Sequence, residues 1–352
     1  YLDIVRITTW FGEVFGLGIL MLGDGEIRSL LSMNEAIEAV EKAFKEKSLG
    51  RAQSPLKSFL FYERYNGDHR VMPAYLEELK ISGVKIVNTH PENRSKFNLP
   101  TVAGIIVLAD PEIGAILAIL EATWITVVKT AAASAVATKY MAREEAGVLG
   151  LVGAGLQAVA HVEALSKVMK LREVKVWSRT PKTAEKFLER VAEKYPDADL
   201  TIADTIERAV KGSDVVVTLT PSRQSIVLEE WVGPGTHINA IGADAPGKQE
   251  LDPSILKRAK IVVDELEHAS HSGEINVPLA QGLIDRKDVY GEIGEIILGK
   301  KLGRASPNEI TVFASTGIAI QDVATAQVVY TKALKEGFGM RIDLTGPTSG
   351  LI

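Results

Sequence analysis

Residues 152–158 read Val-Gly-Ala-Gly-Leu-Gln-Ala, between the apolar run GVLGL (147–151) and the amphipathic stretch VAHVEALSKV (159–168). A strand that enters a glycine turn and leaves as a helix is what the pattern Gly-x-Gly-x-x-Gly/Ala requires. The first glycine makes the tight turn, the second lets a pyrophosphate approach the backbone, and the third position keeps helix and strand close. Gly153, Gly155 and Ala158 occupy these three positions. A helix starting near Leu156 would aim its unpaired N–H groups and positive dipole end at the phosphates. A turn that merely packs a helix on a strand has the same letters, so the weight comes from the segments downstream.

Those segments alternate between two patterns. Strand candidates are GVLGLVG (147–153), EVKVWS (173–178), ADLTIA (198–203), DVVVTLT (214–220), THINAIG (236–242), AKIVVDE (259–265) and EITVFAS (309–315). Between them lie charged segments of helical period such as 181–195 and 206–213. Such βα alternation predicts a doubly wound, parallel α/β sheet of the Rossmann type over 131–319. The strand after the glycine turn should end in the residue that reads the adenosine ribose. It ends in Ser178, Arg179 and Thr180 rather than in an acid, which admits NADP as well as NAD. Arg179 also fits a solvated surface position.

Upstream, Ser32 and Glu35 have capping-box spacing, and Ile37, Val40 and Phe44 succeed them at helical intervals. KSFLFY (57–62) and HRVMPAYL (69–76) flank Asn66-Gly67 and predict a hairpin. ISGVKIVN (81–88), TVAGIIVLAD (101–110) and AILAIL (115–120) extend it into an antiparallel sheet, and 123–142 reads as a helix of small residues. A long Ala-rich helix (318–337) returns at the end, so the second unit is a discontinuous α+β domain, 21–130 with 320–352.

Bulk properties narrow the function. With 352 residues, 46% of them hydrophobic and 24% charged, the chain has the makings of two folded cores. A net charge of −5 without a basic block leaves no footprint for nucleic acid or anionic lipid, which points to small-molecule partners. The lack of cysteine excludes disulfides and thiolate chemistry and fits a reducing, cytoplasmic setting. No stretch reaches a membrane-spanning length of uninterrupted apolar residues. Residues 1–20, interrupted by Glu13, read as an extension upstream of Met21 rather than as an export signal. His268, His271 and Glu274 have ligand-like spacing, but without a His-Glu-x-x-His pattern they read as polar loop residues, and no metal is expected.

The stretches RVMPAYL (70–76), GVKIVNTHP (83–91), VGAGLQA (152–158), THINAIGADAPGKQELD (236–252), SGEI (272–275) and STGIAIQDVA (315–324) together carry a resemblance. From about Met21 to Phe338 the chain resembles the ornithine cyclodeaminase/mu-crystallin family, nearest its archaeal alanine-dehydrogenase branch. The resemblance implies a Rossmann domain holding NAD or NADP and a sheet domain that forms a homodimer and supplies much of the substrate pocket. It implies NAD(P)-dependent oxidative deamination of L-alanine to pyruvate and ammonia. Ornithine cyclodeamination, reduction of Δ1-pyrroline-2-carboxylate, or a mu-crystallin-like NADPH- and ligand-binding role are the alternatives.

By the same resemblance, Lys85 is the catalytic lysine and Asp244 the aspartate that orients the amine or the nucleophile. On its residues alone, Lys85 fits either a desolvated acid–base group or an outward lysine on an edge strand, and Asp244 either a site carboxylate or an Asx turn. Lys57, Arg70 and Lys129 are the expected carboxylate contacts, with Lys129 also near the cofactor. Lysine at 57 and 129, where the family usually has arginine, loses the bidentate fork. Lys129 also fits the polar face of its helix. Leu156 and Gln157 would contact the pyrophosphate, 178–180 the ribose, and Ile241, Gly242 and Ala243 the nicotinamide. Ser315 would lie on the carboxamide side and Thr220 and Pro221 along the same crevice. Ser315 and Thr316 also fit the cap of the final helix.

Overall fold

The computed structural model describes residues 18–343. The proposed upstream extension falls largely outside them. The first described strand, Ile19–Leu22, straddles the boundary drawn before Met21.

The first sheet runs in the order Met340–Ile342, Ile19–Leu22, Ile116–Glu121, Val102–Ala109, Ile81–Thr89, Gly67–Leu76 and Ala52–Gln53, with Ser58–Tyr62 also paired to Gly67–Leu76. The hairpin forms as read: Asn66, at φ 47°, turns the chain between Ser58–Tyr62 and Gly67–Leu76. The sheet is mixed rather than purely antiparallel, because Leu20, Met21 and Leu22 pair in parallel with Ala118, Ile119 and Leu120. The neighbouring strands Ile19–Leu22 and Met340–Ile342 at one edge, of four and three residues, are too short to show a period in sequence and are specified by their long-range pairing with each other. Alternation then sorts the side chains. Met72, Lys85 and Ile106 are cross-strand partners on one buried face, whereas Val84, Ile86, Ile105 and Val107 point the other way. Helices Met33–Ser48, capped by Ser32 and Glu35 as expected, and Ala319–Glu336 cover the buried side.

The second sheet is wholly parallel, in the order Asp199–Ile202, Glu173–Trp177, Val148–Val152, Val215–Thr218, His237–Ala240, Thr311–Ala314, Lys260–Val263 and Val289–Glu292. Numbered along the chain, its first five strands stand 3-2-1-4-5, the doubly wound order whose switch point lies beside the glycine turn.

The helix Thr123–Met141 joins the two units, so the expected boundary at residue 130 falls inside it. Its small residues, from Ala131 to Ala137, are buried and let neighbours approach closely. The helix Leu156–Leu165 packs on it, and the neutral His161 pins the two together. His161 Nδ1 lies 2.7 Å from Gln157 O, which can only accept, so Nε2 accepts from Ser134 Oγ at 3.0 Å. One hydrophobic core spans the junction, containing Phe313 and Val262 of the parallel sheet together with Leu120, Ile125 and Ile320. Phe313 is fully buried there, so Phe313→Ala should lower the unfolding free energy by about 3–5 kcal/mol in urea titration.

Candidate active site

The C-terminal ends of the parallel strands form one edge, where open α/β sheets bind their ligands. Gly153 comes directly after Val148–Val152 with φ 118°, a left-handed conformation in which a side chain would also press on Leu219 O. Gly155 caps the helix Leu156–Leu165 without a side chain, and an added Cβ there would meet nothing within 4 Å. That open, uncapped N-terminus with the exposed Leu156 beside it fits a pyrophosphate. Ser178, Arg179 and Thr180 end the next strand, where Thr180 N donates to Ser178 Oγ and Arg179 is exposed. Thr220 and Pro221, then Ile241, Gly242 and Ala243, and finally Ser315 stand at the ends of the later strands. The expected cofactor positions other than Lys129, which belongs to the helix Thr123–Met141, therefore stand along this edge.

Asp264 shapes its far end. Its Oδ2 accepts from Ser315 Oγ, Thr316 N and Gly317 N, closing the turn after Thr311–Ala314. The cap of the last helix is Ile318, so Ser315 and Thr316 do not serve as its cap.

Three cations of the first domain, Lys57, Arg70 and Lys129, abut this edge, and a fourth, Lys85, meets the helix Ala319–Glu336. Lys57 Nζ donates to Thr316 O at 2.6 Å and lies 3.5 Å from Asp244 O. Burial pushes its pKa down to about 7, although Asp244 pulls the other way. Arg70, lying over the Phe59 ring, donates through Nε and one terminal nitrogen to Asp68 and through the other to Asp244 Oδ2 at 2.8 Å. Asp244 also accepts from Lys248 Nζ. Burial pushes its carboxyl upward, but Arg70, Lys248 and Lys57 outweigh that and hold it well below the usual range. Its carboxylate is thus taken up by Arg70 and Lys248 rather than by an Asx turn.

Lys85, on the buried face of its strand, donates to Asp322 Oδ1 at 2.7 Å. Burial lowers its pKa to about 8 against the pull of Asp322, with Lys129 and Arg70 adding to the depression. Lys129 is buried rather than on a polar helix face. Its Nζ donates to Gln321 Oε1 at 2.9 Å, lies 3.4 Å from Asp322 Oδ2, and would touch any Cβ at Gly317. Lys85 and Asp244 do not touch; Arg70, bonded to Asp244 and felt electrostatically by Lys85, stands between them.

Asp322 was absent from the expected site residues, as were Asp68, Lys248, Gln321 and Asp264. A usable signal was present for Asp322: Gln-Asp is the polar break in the otherwise apolar IAIQDVATA (318–326) at the start of a helix. His268 and Glu274, expected as loop residues, are buried, His268 on the helix Leu266–Ser272 pairing with Glu265 and Glu274 accepting backbone N–H groups.

A glycine turn at the switch point of a doubly wound parallel sheet, beside a second, mixed sheet, is the architecture of a Rossmann-domain oxidoreductase that uses NAD(P). More particularly, the chain belongs to the ornithine cyclodeaminase/mu-crystallin family, whose model matches residues 19–337. It is 49% identical over 323 residues to the alanine dehydrogenase of Archaeoglobus fulgidus, covering 92% of this chain and 98% of that one. An archaeal alanine dehydrogenase dimer with bound NAD superposes with a TM-score of 0.89 at 49% identity, covering 93% of this chain and 99% of that one. The Thermococcus litoralis Δ1-pyrroline-2-carboxylate reductase, in complex with NADH and L-proline, gives a TM-score of 0.89 at 39% identity over 92% of this chain and 100% of that one.

Removing Asp322 leaves two ammonium groups buried around an uncharged side chain. Asp322→Asn should cost about 3–5 kcal/mol in urea titration at pH 6. The loss should be smaller at pH 9, above the value of about 8 at which Lys85 sheds its proton and needs the carboxylate less.

Proposed function

We propose that the chain catalyses the reversible conversion of L-alanine, water and NAD(P)+ to pyruvate, ammonium, NAD(P)H and a proton. The observation that carries this reading is a buried lysine of lowered pKa, Lys85, held by Asp322, in the same charge cluster as a second carboxylate, Asp244, that Arg70 and Lys248 keep ionised. The 49% identity to an alanine dehydrogenase over nearly the whole chain supports the choice of substrate.

Bound NAD(P)+ would supply the oxidising power to take hydride from the substrate Cα. Gly153, Gly155, Leu156 and Gln157 would hold its pyrophosphate, residues 178–180 the ribose, and Thr220, Pro221, 241–243 and Ser315 the nicotinamide half. Lys57, Arg70 and Lys129 would grip the substrate carboxylate. An anion beside Lys57 favours its ammonium form, so binding takes up a proton at neutral pH. Neutral Lys85 would accept the proton released as water attacks the imine carbon, and its ammonium form would return a proton in the reverse direction. Asp322 holds Lys85 in place, and Asp244 would orient the amine and the water.

The outward face of the first sheet supports a homodimer. Leu60 and Ile105 are 60% and 39% exposed there, beside the partly exposed Val84, Ile86 and Val107.

Reduction of Δ1-pyrroline-2-carboxylate is a second reading, supported by the equally good superposition on the reductase that binds L-proline. Incubation with NAD or NADP and a panel of L-amino acids, with reduced cofactor and ammonia measured together, separates the readings. L-Alanine should yield both in equal amounts. Turnover of Δ1-pyrroline-2-carboxylate without turnover of alanine would select the reductase. Proline and ammonia from ornithine without net reduction would select a cyclodeaminase, and tight cofactor binding with no turnover a mu-crystallin-like binder.

Proton acceptance by Lys85 has a sign in pH. For deamination, kcat/KM should rise about tenfold per pH unit up to about 8 and then level off, while reductive amination should slow over the same interval as the ammonium is lost. Lys85→Ala should abolish turnover yet bind NADH. A near-normal rate in that variant would reject the role given to Lys85.

A further inference from the structure

The stretch THINAIGADAPGKQELD (236–252) and the stretch SGEI (272–275) meet at two buried carboxylates outside the cluster described above. Glu250 comes from the short strand Gln249–Leu251 and is fully buried. Its Oε1 accepts from Thr220 N and Thr220 Oγ1, both at 2.7 Å, and its Oε2 from Gly242 N at 2.9 Å. Thr220 and Gly242 lie just past the neighbouring strands Val215–Thr218 and His237–Ala240. One carboxylate therefore ties together the ends of two central strands where they turn outward. Only glycine fits at 242, because a Cβ would fall 2.1 Å from Thr220 O and 2.4 Å from Glu250 Oε2.

Glu250 is itself held from behind. Glu274 accepts from Glu250 N at 2.9 Å and from Leu251 N at 2.7 Å, and Asn276 accepts from Gly247 N and donates to Lys248 O. The loop that carries Asp244 and Lys248 is thus fastened at its far end by Asn276, the first residue of the short helix Asn276–Ala280. Burial pushes both carboxyls upward, and the donors from Thr220 and Gly242 work against this at Glu250.

We propose that Glu250 is a positioning residue for the nicotinamide half of the cofactor site, acting through Thr220 and Gly242; this rests on the cofactor assignment made under the proposed function. Glu250 would touch neither cofactor nor substrate. It sets the gap between the two strand ends that would flank the ring, whereas the pyrophosphate turn at 153–157 and the ribose turn at 178–180 lie on strands it does not contact. An ångström of drift at the ring is enough to cost catalysis heavily. Glutamine keeps the shape but cannot accept at both ends, because its amide NH2 must face either the Thr220 donors or Gly242 N–H.

The test is isothermal titration of the purified full chain with NADH and with ADP-ribose, which lacks the nicotinamide. Glu250→Gln should bind ADP-ribose within about twofold of the unchanged protein while its Kd for NADH rises about tenfold, the size of one lost hydrogen bond to a charged group. Retained ADP-ribose binding also reports that the variant is folded. Equal weakening of both ligands, or no change in either, would overturn the inference. An unchanged protein that binds neither ligand would overturn the cofactor assignment, and this inference with it. If Glu250→Gln does not fold, Glu250→Asp keeps the charge but is too short to hold Thr220 and Gly242 together, and should give the same split at about tenfold, the size of one lost hydrogen bond to a charged group; the absence of that split would overturn the proposal.

Discussion

Two lysines from different elements share a single carboxylate in the buried centre of this molecule, and much of the architecture serves that arrangement. Asp322 stands in the first turn of the last helix, where the positive end of the helix dipole favours a negative charge. Lys85 reaches it from the first sheet and Lys129 from the connecting helix. Burying these three groups is costly, and the attraction among them offsets the cost only while the geometry holds. The depressed pKa of Lys85 is the residue of that contest: burial outweighs the partner, leaving an ammonium that gives up its proton near neutral pH.

The parallel sheet solves a second problem by a repeated device. Its strands end in turns whose N–H groups would otherwise be buried without partners, and carboxylates from neighbouring segments accept them. Asp264 closes the turn at 315–317, Glu250 joins 220 to 242, and Glu274 supports 250 and 251. Asp214 does the same at the opposite edge for Gly147 and Val148. Charged acceptors make stronger hydrogen bonds than neutral ones, so the rim of the crevice is stiff where a ligand would need it fixed.

The two domains are not separate bodies linked by a flexible segment. The connecting helix presents alanines to both, the core runs through Phe313 and Val262, and His161 bonds the helix of the glycine turn to Ser134. The cations of one domain therefore hold a definite place against the strand ends of the other. Lys57 on Thr316 O and Arg70 on Asp244 are direct bonds across that seam.

Local pattern was enough for the strand–helix alternation, the glycine turn with its helix start at Leu156, the hairpin at Asn66 and the capping box at Ser32, because each depends on neighbours in sequence. The residues that line the C-terminal edge of the parallel sheet could be read for the same reason: they are the ones that come immediately after each strand. Lys85 and Asp244 could be named from family motifs, but their partners could not. Asp322 meets Lys85 across 237 positions, Lys248 reaches Asp244 within a loop of no regular period, and the strands at 19 and 340 pair only when the chain ends meet. Sequence by itself determined which segments form strands and helices and which residues stand where each strand ends. Tertiary structure alone decided which carboxylate faces which cation, because burial, charge pairing and pKa arise from groups that become neighbours only when the chain is folded.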